Sequence, residues 1–382
     1  MEFRSFKGSS ASLGFGGLKM TNVSKPVKVG VIGCGKVAMG RHLPALMDLG
    51  GAVVTALADI DQKNLARATD RFGIERAYVS HTELLQDADV DAVAICVPLQ
   101  SHAEIALDAI DSQKHILLEK PLAMSLDEAE KLIERASHVD RKIMVGYNKR
   151  WHRLVRKIKE IIQGGSLGDV RMIQVVFSTG HRNRYIPEWR LHRKNGGGSI
   201  IENGSHFYDL WHFFLQKDVQ KVSALSHSTD KIDDEPSIVT AETENGVFLN
   251  CVLSDFLPDR LEMEIFGEEC VLHASLHRFD GLEFIPLGSY TGKMKSRLRR
   301  TAGFFKELPL GLRQARLGGD YETSYRAMWQ HFLDAIHDDT PVGCTLEDGR
   351  RSLQIALAAV ESASTGKTVY VADAPRSLVL PD

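Results

Sequence analysis

No stretch of this chain approaches the ~20 consecutive apolar residues that a membrane helix needs, so no integral membrane segment is expected. Charge of one sign is missing too. The 47 basic and 50 acidic residues nearly cancel, which leaves no overall electrostatic reason to expect nucleic acid as a partner. Cysteine is sparse and scattered, at 34, 96, 251, 270 and 344. There is no C-x-x-C pair and no Cys/His cluster at zinc spacing, so neither a disulfide scaffold nor a metal site is expected. Cys34, Cys96 and Cys251 lie in apolar runs, where a thiol acts as a small hydrophobe, and a reducing cytoplasm fits this usage. Internal repeats are absent. Residues 1–26 carry neither periodicity nor a compact apolar segment followed by a small-residue cleavage site, which makes a poor signal peptide. They read as a flexible arm. An arm packed on a partner subunit, or a start at Met20, are the other readings.

What is present begins with length. At 382 residues the chain exceeds one ordinary core, and two domains are expected. From 27 to about 148, short β-rich runs (27–32, 53–58, 92–97, 116–118 and 143–145) alternate with helical stretches such as 37–49, 101–112 and 125–138. That alternation predicts a parallel sheet covered by helices on both faces, an α/β Rossmann domain. Residues 151–163 form an amphipathic helix: Trp151, Leu154, Val155, Ile158, Ile161 and Ile162 share one face, and Gly164-Gly165 stops it. A second domain, 149–382, is expected to open there. Its pattern turns to period two: 238–243 and 247–253 flank Glu244-Asn245-Gly246, and 261–266 and 270–274 flank Gly267, so an antiparallel sheet is expected. Thr345 and Asp348 resemble a capping box for a helix running to about Ser364, with Gly366 as its stop.

The segment Val29-Gly30-Val31-Ile32-Gly33-Cys34-Gly35-Lys36-Val37-Ala38 reads as strand, glycine turn and helix start. Gly33 permits the turn, Gly35 lets the backbone approach a pyrophosphate, and Ala38 takes the third small position. Free N–H groups at Lys36, Val37 and Ala38 would meet the phosphates. Asp59 ends the second strand near the expected offset, where a carboxylate can bond both ribose hydroxyls and repel a 2′-phosphate. Ile60 supplies no positive charge for such a phosphate, although Lys63 is not far away. NAD is therefore favoured over NADP.

These features extend into a resemblance. Gly33-Cys34-Gly35-x-x-Ala38, Asp59, Val97-Pro98-x-x-x-His102, Glu119-Lys120-Pro121 and Gly196-Gly197-Gly198-x-x-x-Glu202-x-Gly204-x-His206-x-x-Asp209 occur in that order. Over about residues 27–370 the chain resembles the Gfo/Idh/MocA family, the glucose–fructose oxidoreductase and inositol dehydrogenase relatives. The resemblance implies a Rossmann domain followed by an α/β domain with a large open, mainly antiparallel sheet. The free face of that sheet often carries dimer or tetramer contacts, so a homodimer or homotetramer is implied.

Lys120 aligns with the family's catalytic-site lysine, often followed by a cis proline bond, and its ammonium would bind the substrate hydroxyl and lower its pKa. His206 aligns with the acid/base histidine. Glu202 stands where the family commonly has aspartate. It could orient the imidazole or grip a substrate hydroxyl, and its extra methylene changes the reach. Asp209 could supplement it, and its other reading is structural. Val97, Pro98, His102 and Glu119 are expected beside the cofactor. Asn148, Arg150, Tyr185, Trp189 and Arg190 are candidate substrate contacts, since aromatic rings stack on sugars and Arg reads hydroxyls or phosphate.

Eight cations against Glu307 mark a basic segment at 293–316, part of an insertion at about 291–318. It reads as a solvated loop-helix, with a lid over an anionic substrate or a membrane-surface contact as sharper alternatives. The whole predicts an NAD(P)-dependent oxidoreductase acting on a ring hydroxyl or ketone of a sugar, cyclitol or nucleotide-sugar. The rival readings are a bound-NAD glycosidase working by transient oxidation and a non-catalytic dinucleotide-binding sensor.

Overall fold

A computed structural model describes residues 25–180, 186–288 and 294–378. Among these residues, fourteen strands fall into two sheets. The first contains β1 (Val27–Ile32), β2 (Ala52–Ala58), β3 (Arg76–Tyr78), β4 (Ala92–Ile95), β5 (His115–Leu118) and β6 (Ile143–Val145), all parallel, in the order β3-β2-β1-β4-β5-β6. The residues of β4 and β6 are buried throughout, which is why these runs are continuously apolar rather than alternating. Strand order reverses between β1 and β4. The crevice outside their carboxyl ends, between Gly33 and Cys96, is where such sheets bind ligands.

The second sheet contains β7 (Val170–Ser178), β8 (Val219–Ser226), β9 (Ser237–Thr243), β10 (Phe248–Ser254), β11 (Arg260–Gly267), β12 (Cys270–Ser275), β13 (Leu282–Pro286) and β14 (Val369–Tyr370). Its order is β13-β12-β11-β7-β10-β9-β8-β14. Pairing is antiparallel except between β7 and β10, so the sheet is mixed. Burial alternates along β9 and β11, with one face on the core. That face is covered by the helices Gly204–Leu215 and Leu346–Thr365. The second of these opens on the Thr345/Asp348 capping box and stops at Gly366 in the left-handed conformation.

Several boundaries differ from expectation. The fourth strand ends at Ile95, because the chain turns past Gly33 and meets Pro98, which has no N–H to continue a ladder. The helix expected over 37–49 is a π turn, Ala38–His42, running into Leu43–Met47. Pro44 cannot donate to the Gly40 carbonyl, and the Arg41 guanidinium takes that oxygen instead at 3.0 Å. The helix expected from Trp151 begins at Arg153, with the His152 ring accepting from Leu154 N at the cap. The basic segment is one helix, Met294–Arg316, with Pro309 inside it. Phe304 packs on Phe279, and the helix leads through Leu317-Gly318 into the helix Gly319–His337. No helix among the described residues is long and apolar enough to cross a membrane.

Two imidazoles serve as acceptors for backbone N–H groups. His115 Nδ1 accepts from Lys142 N at 2.9 Å, and His152 Nδ1 from Leu154 N at 3.3 Å. Burial, reinforced by Arg141 beside His115 and by Lys149 beside His152, lowers both to about 4. An unfolded chain protonates its histidines near pH ~6.5. The unfolded state therefore gains protons first as pH falls, and stability should drop from about pH 6.5 towards pH 4. Thermal unfolding midpoints across that range check this.

Candidate active site

The cofactor crevice is shaped by steric limits at the glycine turn. Gly33 has φ +90°, and a Cβ there would lie 2.7 Å from the Cys96 carbonyl. Gly35 is different: a Cβ there would meet nothing within 4 Å, so no neighbour in the chain demands glycine. That open space beside the N–H groups of Lys36 and Val37, which lack intrahelical acceptors at a helix start, fits a pyrophosphate. Asp59 accepts from Cys34 N at 2.6 Å and from Asp61 N at 2.8 Å, which fixes its carboxylate against the turn. Ile60 beside it is exposed and brings no charge. The Cys34 thiol is pushed up to about 12 by burial and by Asp59, which makes it a packing residue.

At the end of β5 the chain makes a braced turn. Glu119 is buried, with one oxygen 2.7 Å from His42 Nε2 and the other accepting from Lys120 N at 3.1 Å. Trp329 Nε1 donates to His42 Nδ1 at 3.1 Å, so the His42 proton sits on Nε2 and points to Glu119. The Lys120–Pro121 bond is cis. His102 holds the other side of the turn, its ring nitrogens 2.8 Å from the Pro121 carbonyl and 3.0 Å from the Val97 carbonyl. Both side chains make these bonds inside the protein, where they brace the lysine turn.

Lys120 projects from this turn to the second domain. Its ammonium donates to Glu202 Oε1 at 2.9 Å and to the Glu202 carbonyl at 3.0 Å. Burial alone would raise Glu202, but Lys120 and Arg190 outweigh it and hold the carboxyl below its ordinary range. The preceding glycine run makes the approach possible. A Cβ at Gly197 would lie 2.3 Å from the Arg190 carbonyl, so only glycine lets the Trp189-Arg190 turn settle over it. Arg190 then reaches Asn203 Oδ1 at 3.2 Å and Asp255 at 3.4 Å, with Glu202 at 3.7 Å. Trp189 is half-buried in the same 3₁₀ turn, Glu188–Leu191. Tyr185 lies outside the described residues.

His206 sits in the first turn of the helix Gly204–Leu215, 9% exposed, edge-on to Tyr147 at 6.1 Å. Burial first, then Lys149, Lys120 and Arg190, drive its pKa well below the ordinary value, so the ring is neutral. Glu202 goes to Lys120 rather than to the imidazole, and His206 Nδ1 has no hydrogen-bond partner among the described residues.

The 3₁₀ turn Asn148–Trp151 sends consecutive side chains in different directions. Asn148 Nδ2 donates to Ser324 Oγ at 2.9 Å and is 1% exposed. Arg150 forms a bidentate pair with Asp209, at 2.6 and 2.8 Å, and donates to the Gly343 carbonyl at 2.8 Å. The partners of Asn148 and Arg150 are thus interior ones, and the Asp209 carboxylate is bound to Arg150. Between them lies a residue that sequence reasoning missed. Lys149 is buried, with its ammonium over the rings of Phe177, Phe207 and Tyr321 at 5.3, 5.8 and 5.8 Å. Nothing in its sequence context marked it apart from its two neighbours. Asp255 and Tyr321 also gave no local signal.

A parallel sheet with a glycine turn at its switch point, facing a second α/β domain across a half-buried lysine, defines an NAD-binding oxidoreductase. Residues 27–147 match an oxidoreductase family's NAD-binding Rossmann fold, and residues 159–371 match the C-terminal alpha/beta domain of the same family. The chain belongs to the Gfo/Idh/MocA oxidoreductase family. It is 24% identical to the myo-inositol 2-dehydrogenase of Thermotoga maritima, over 90% of this chain and 98% of that one. It is 29% identical to the 1,5-anhydro-D-fructose reductase of Ensifer adhaerens, again over 90% and 98%. The fold is shared with the WlbA dehydrogenase of Bordetella pertussis, solved with NADH and UDP-GlcNAcA, at a TM-score of 0.76, 17% identity and coverage of 91% and 98%.

Proposed function

We propose that this protein interconverts a ring hydroxyl and a ketone of a sugar, cyclitol or nucleotide-sugar, with NAD as the hydride partner. The observation that carries this is the placement of Lys120, fixed by Glu119 and Glu202 at the mouth of the dinucleotide crevice, in the same buried site as neutral His206. Gly33, Gly35, Lys36, Val37 and Asp59 would hold NAD, whose nicotinamide would supply the hydride acceptor or donor. Lys120 donates a hydrogen bond to the reacting oxygen and stabilises negative charge on it. His206 accepts the hydroxyl proton in oxidation and returns it in reduction. Its depressed pKa makes the imidazolium a strong acid, which suits proton return to a nascent alkoxide. Glu202 holds the lysine in place. Arg190, tied to Asn203 and Asp255, closes the site on the other side.

The test is NADH absorbance with purified protein across inositols, free sugars, sugar acids and nucleotide-sugars. Turnover with one class, lost in His206→Ala while NAD still binds, is the expected result. NAD binding with no turnover on any class would sink the reading.

Two further outcomes follow. Asp59→Ala should weaken NAD binding and narrow its advantage over NADP, because the carboxylate that meets the ribose is gone; titration with both dinucleotides checks this. The outward side of the second sheet carries Leu225, Ile238 and Val252 in one cross-strand row, with Leu225 72% exposed. That row supports a homo-oligomer through this face. Leu225→Lys combined with Ile238→Lys should lower the mass measured by light scattering, and an unchanged mass would place the contact elsewhere.

A further inference from the structure

Lys149 is a buried cation whose partner is missing. It is 6% exposed, and it donates no hydrogen bond and joins no ion pair among the described residues. Buried charges are ordinarily paired. The other cations of the site are matched: Lys120 has Glu202, and Arg190 has Asp255. His206 is neutral. The rings of Phe177, Phe207 and Tyr321 stand 5.3 to 5.8 Å away, near the outer limit of a cation–π contact, and they give the ammonium no oxygen ligand. The site therefore holds one basic side chain more than its carboxylates answer.

We propose that Lys149 binds an anionic group of the substrate, so that the preferred substrate is an acidic sugar or cyclitol derivative rather than a neutral polyol. This rests on the substrate site assigned above. A carboxylate or a phosphate oxygen would serve equally as the acceptor. The charged groups around Lys149 fit this role. Lys120 repels it from the β5 turn, Glu202 attracts it from the turn Ser199–Glu202, and His206 and His152 are neutral. Tyr321, from the helix Gly319–His337, offers a ring face. Burial first and then Lys120 lower the Lys149 ammonium to about 7, so without a ligand it is held weakly. An anion would restore its proton, and binding above neutral pH should therefore take up a proton.

The experiment is calorimetric titration of the NAD-loaded protein at alkaline pH, in two buffers of different ionisation heat. The ligands are glucuronate, gluconate, a hexose phosphate and UDP-glucuronate, with glucose and myo-inositol as the neutral pair. The expected result is tighter binding of an acid than of its neutral counterpart, with proton uptake. Comparison of the carboxylates with the phosphates identifies which anion the site takes. Lys149→Met, which keeps the aliphatic stem, should raise the dissociation constant of that acid by about thirtyfold or more and abolish the proton uptake. Lys149→Arg should restore the preference for the acid. Neutral ligands that bind as tightly as acids, acids that do not bind at all, or proton uptake that survives Lys149→Met would each overturn the proposal. Loss of turnover in His206→Ala reads the hydride-transfer assignment separately, since the titration needs no chemistry.

Discussion

Lys120→Ala is expected to cut kcat by about 10²–10³-fold or more while NAD binding persists. The lysine lies beyond the glycine turn, and among the described residues its ammonium bonds to Glu202 and not to the groups proposed to meet the dinucleotide (Gly33, Gly35 and Asp59). Its removal takes away the one ammonium aimed by both the Glu119 brace and the Glu202 carboxylate. The substitution also leaves Glu202 with Arg190 alone at 3.7 Å, so some loss of stability accompanies the loss of rate. Stopped assays at saturating NAD, beside fluorescence titration of the dinucleotide, separate the two. Turnover close to that of the wild type would remove Lys120 from the chemistry.

Arg150→Leu should act in the opposite way, destabilising the fold by about 3–5 kcal/mol. The guanidinium reaches Asp209 on the helix Gly204–Leu215, the Gly343 carbonyl, and Asp348 of the last helix's capping box. Without it, Asp209 is a buried carboxylate with no countercharge, and two helices lose their common anchor. Denaturant unfolding measures the loss. The double variant Arg150→Leu with Asp209→Leu should recover much of it, because no lone charge remains. If Arg150→Leu instead left stability intact and raised only the KM for substrate, the interior role assigned here would be wrong.

The contrast between these residues shows what a sequence can disclose. Gly33, Asp59 and the Lys120-Pro121 pair are visible because backbone geometry at the ends of parallel strands restricts which residues fit, and that restriction is local. Asn148, Lys149 and Arg150 are consecutive and polar, and nothing local ranks them. Their fates diverge because a 3₁₀ turn distributes them among Ser324, an aromatic cage and Asp209, partners far along the chain. His102 and Glu119 were legible as neighbours of the site. Their role as braces was not, since it depends on the Pro121 and Val97 carbonyls and on His42. The parallel pairing of β7 and β10 was hidden for a related reason: period-two patterning reports which face is buried, not which direction the partner runs.

The π turn Ala38–His42 has a consequence for engineering. His42 meets Glu119 and Trp329, and Arg41 pairs with Glu322 and lies over Tyr321 at 5.0 Å. Trp329, Glu322 and Tyr321 all belong to the helix Gly319–His337, well past the dinucleotide sheet in sequence. The two halves are thus not interchangeable modules. A chimera that joined this dinucleotide half to another relative's second half at residue 148 would strip His42 of its tryptophan and Lys120 of Glu202. Swapping specificity between relatives therefore calls for transplanting the helix Gly319–His337 along with the turn it grips.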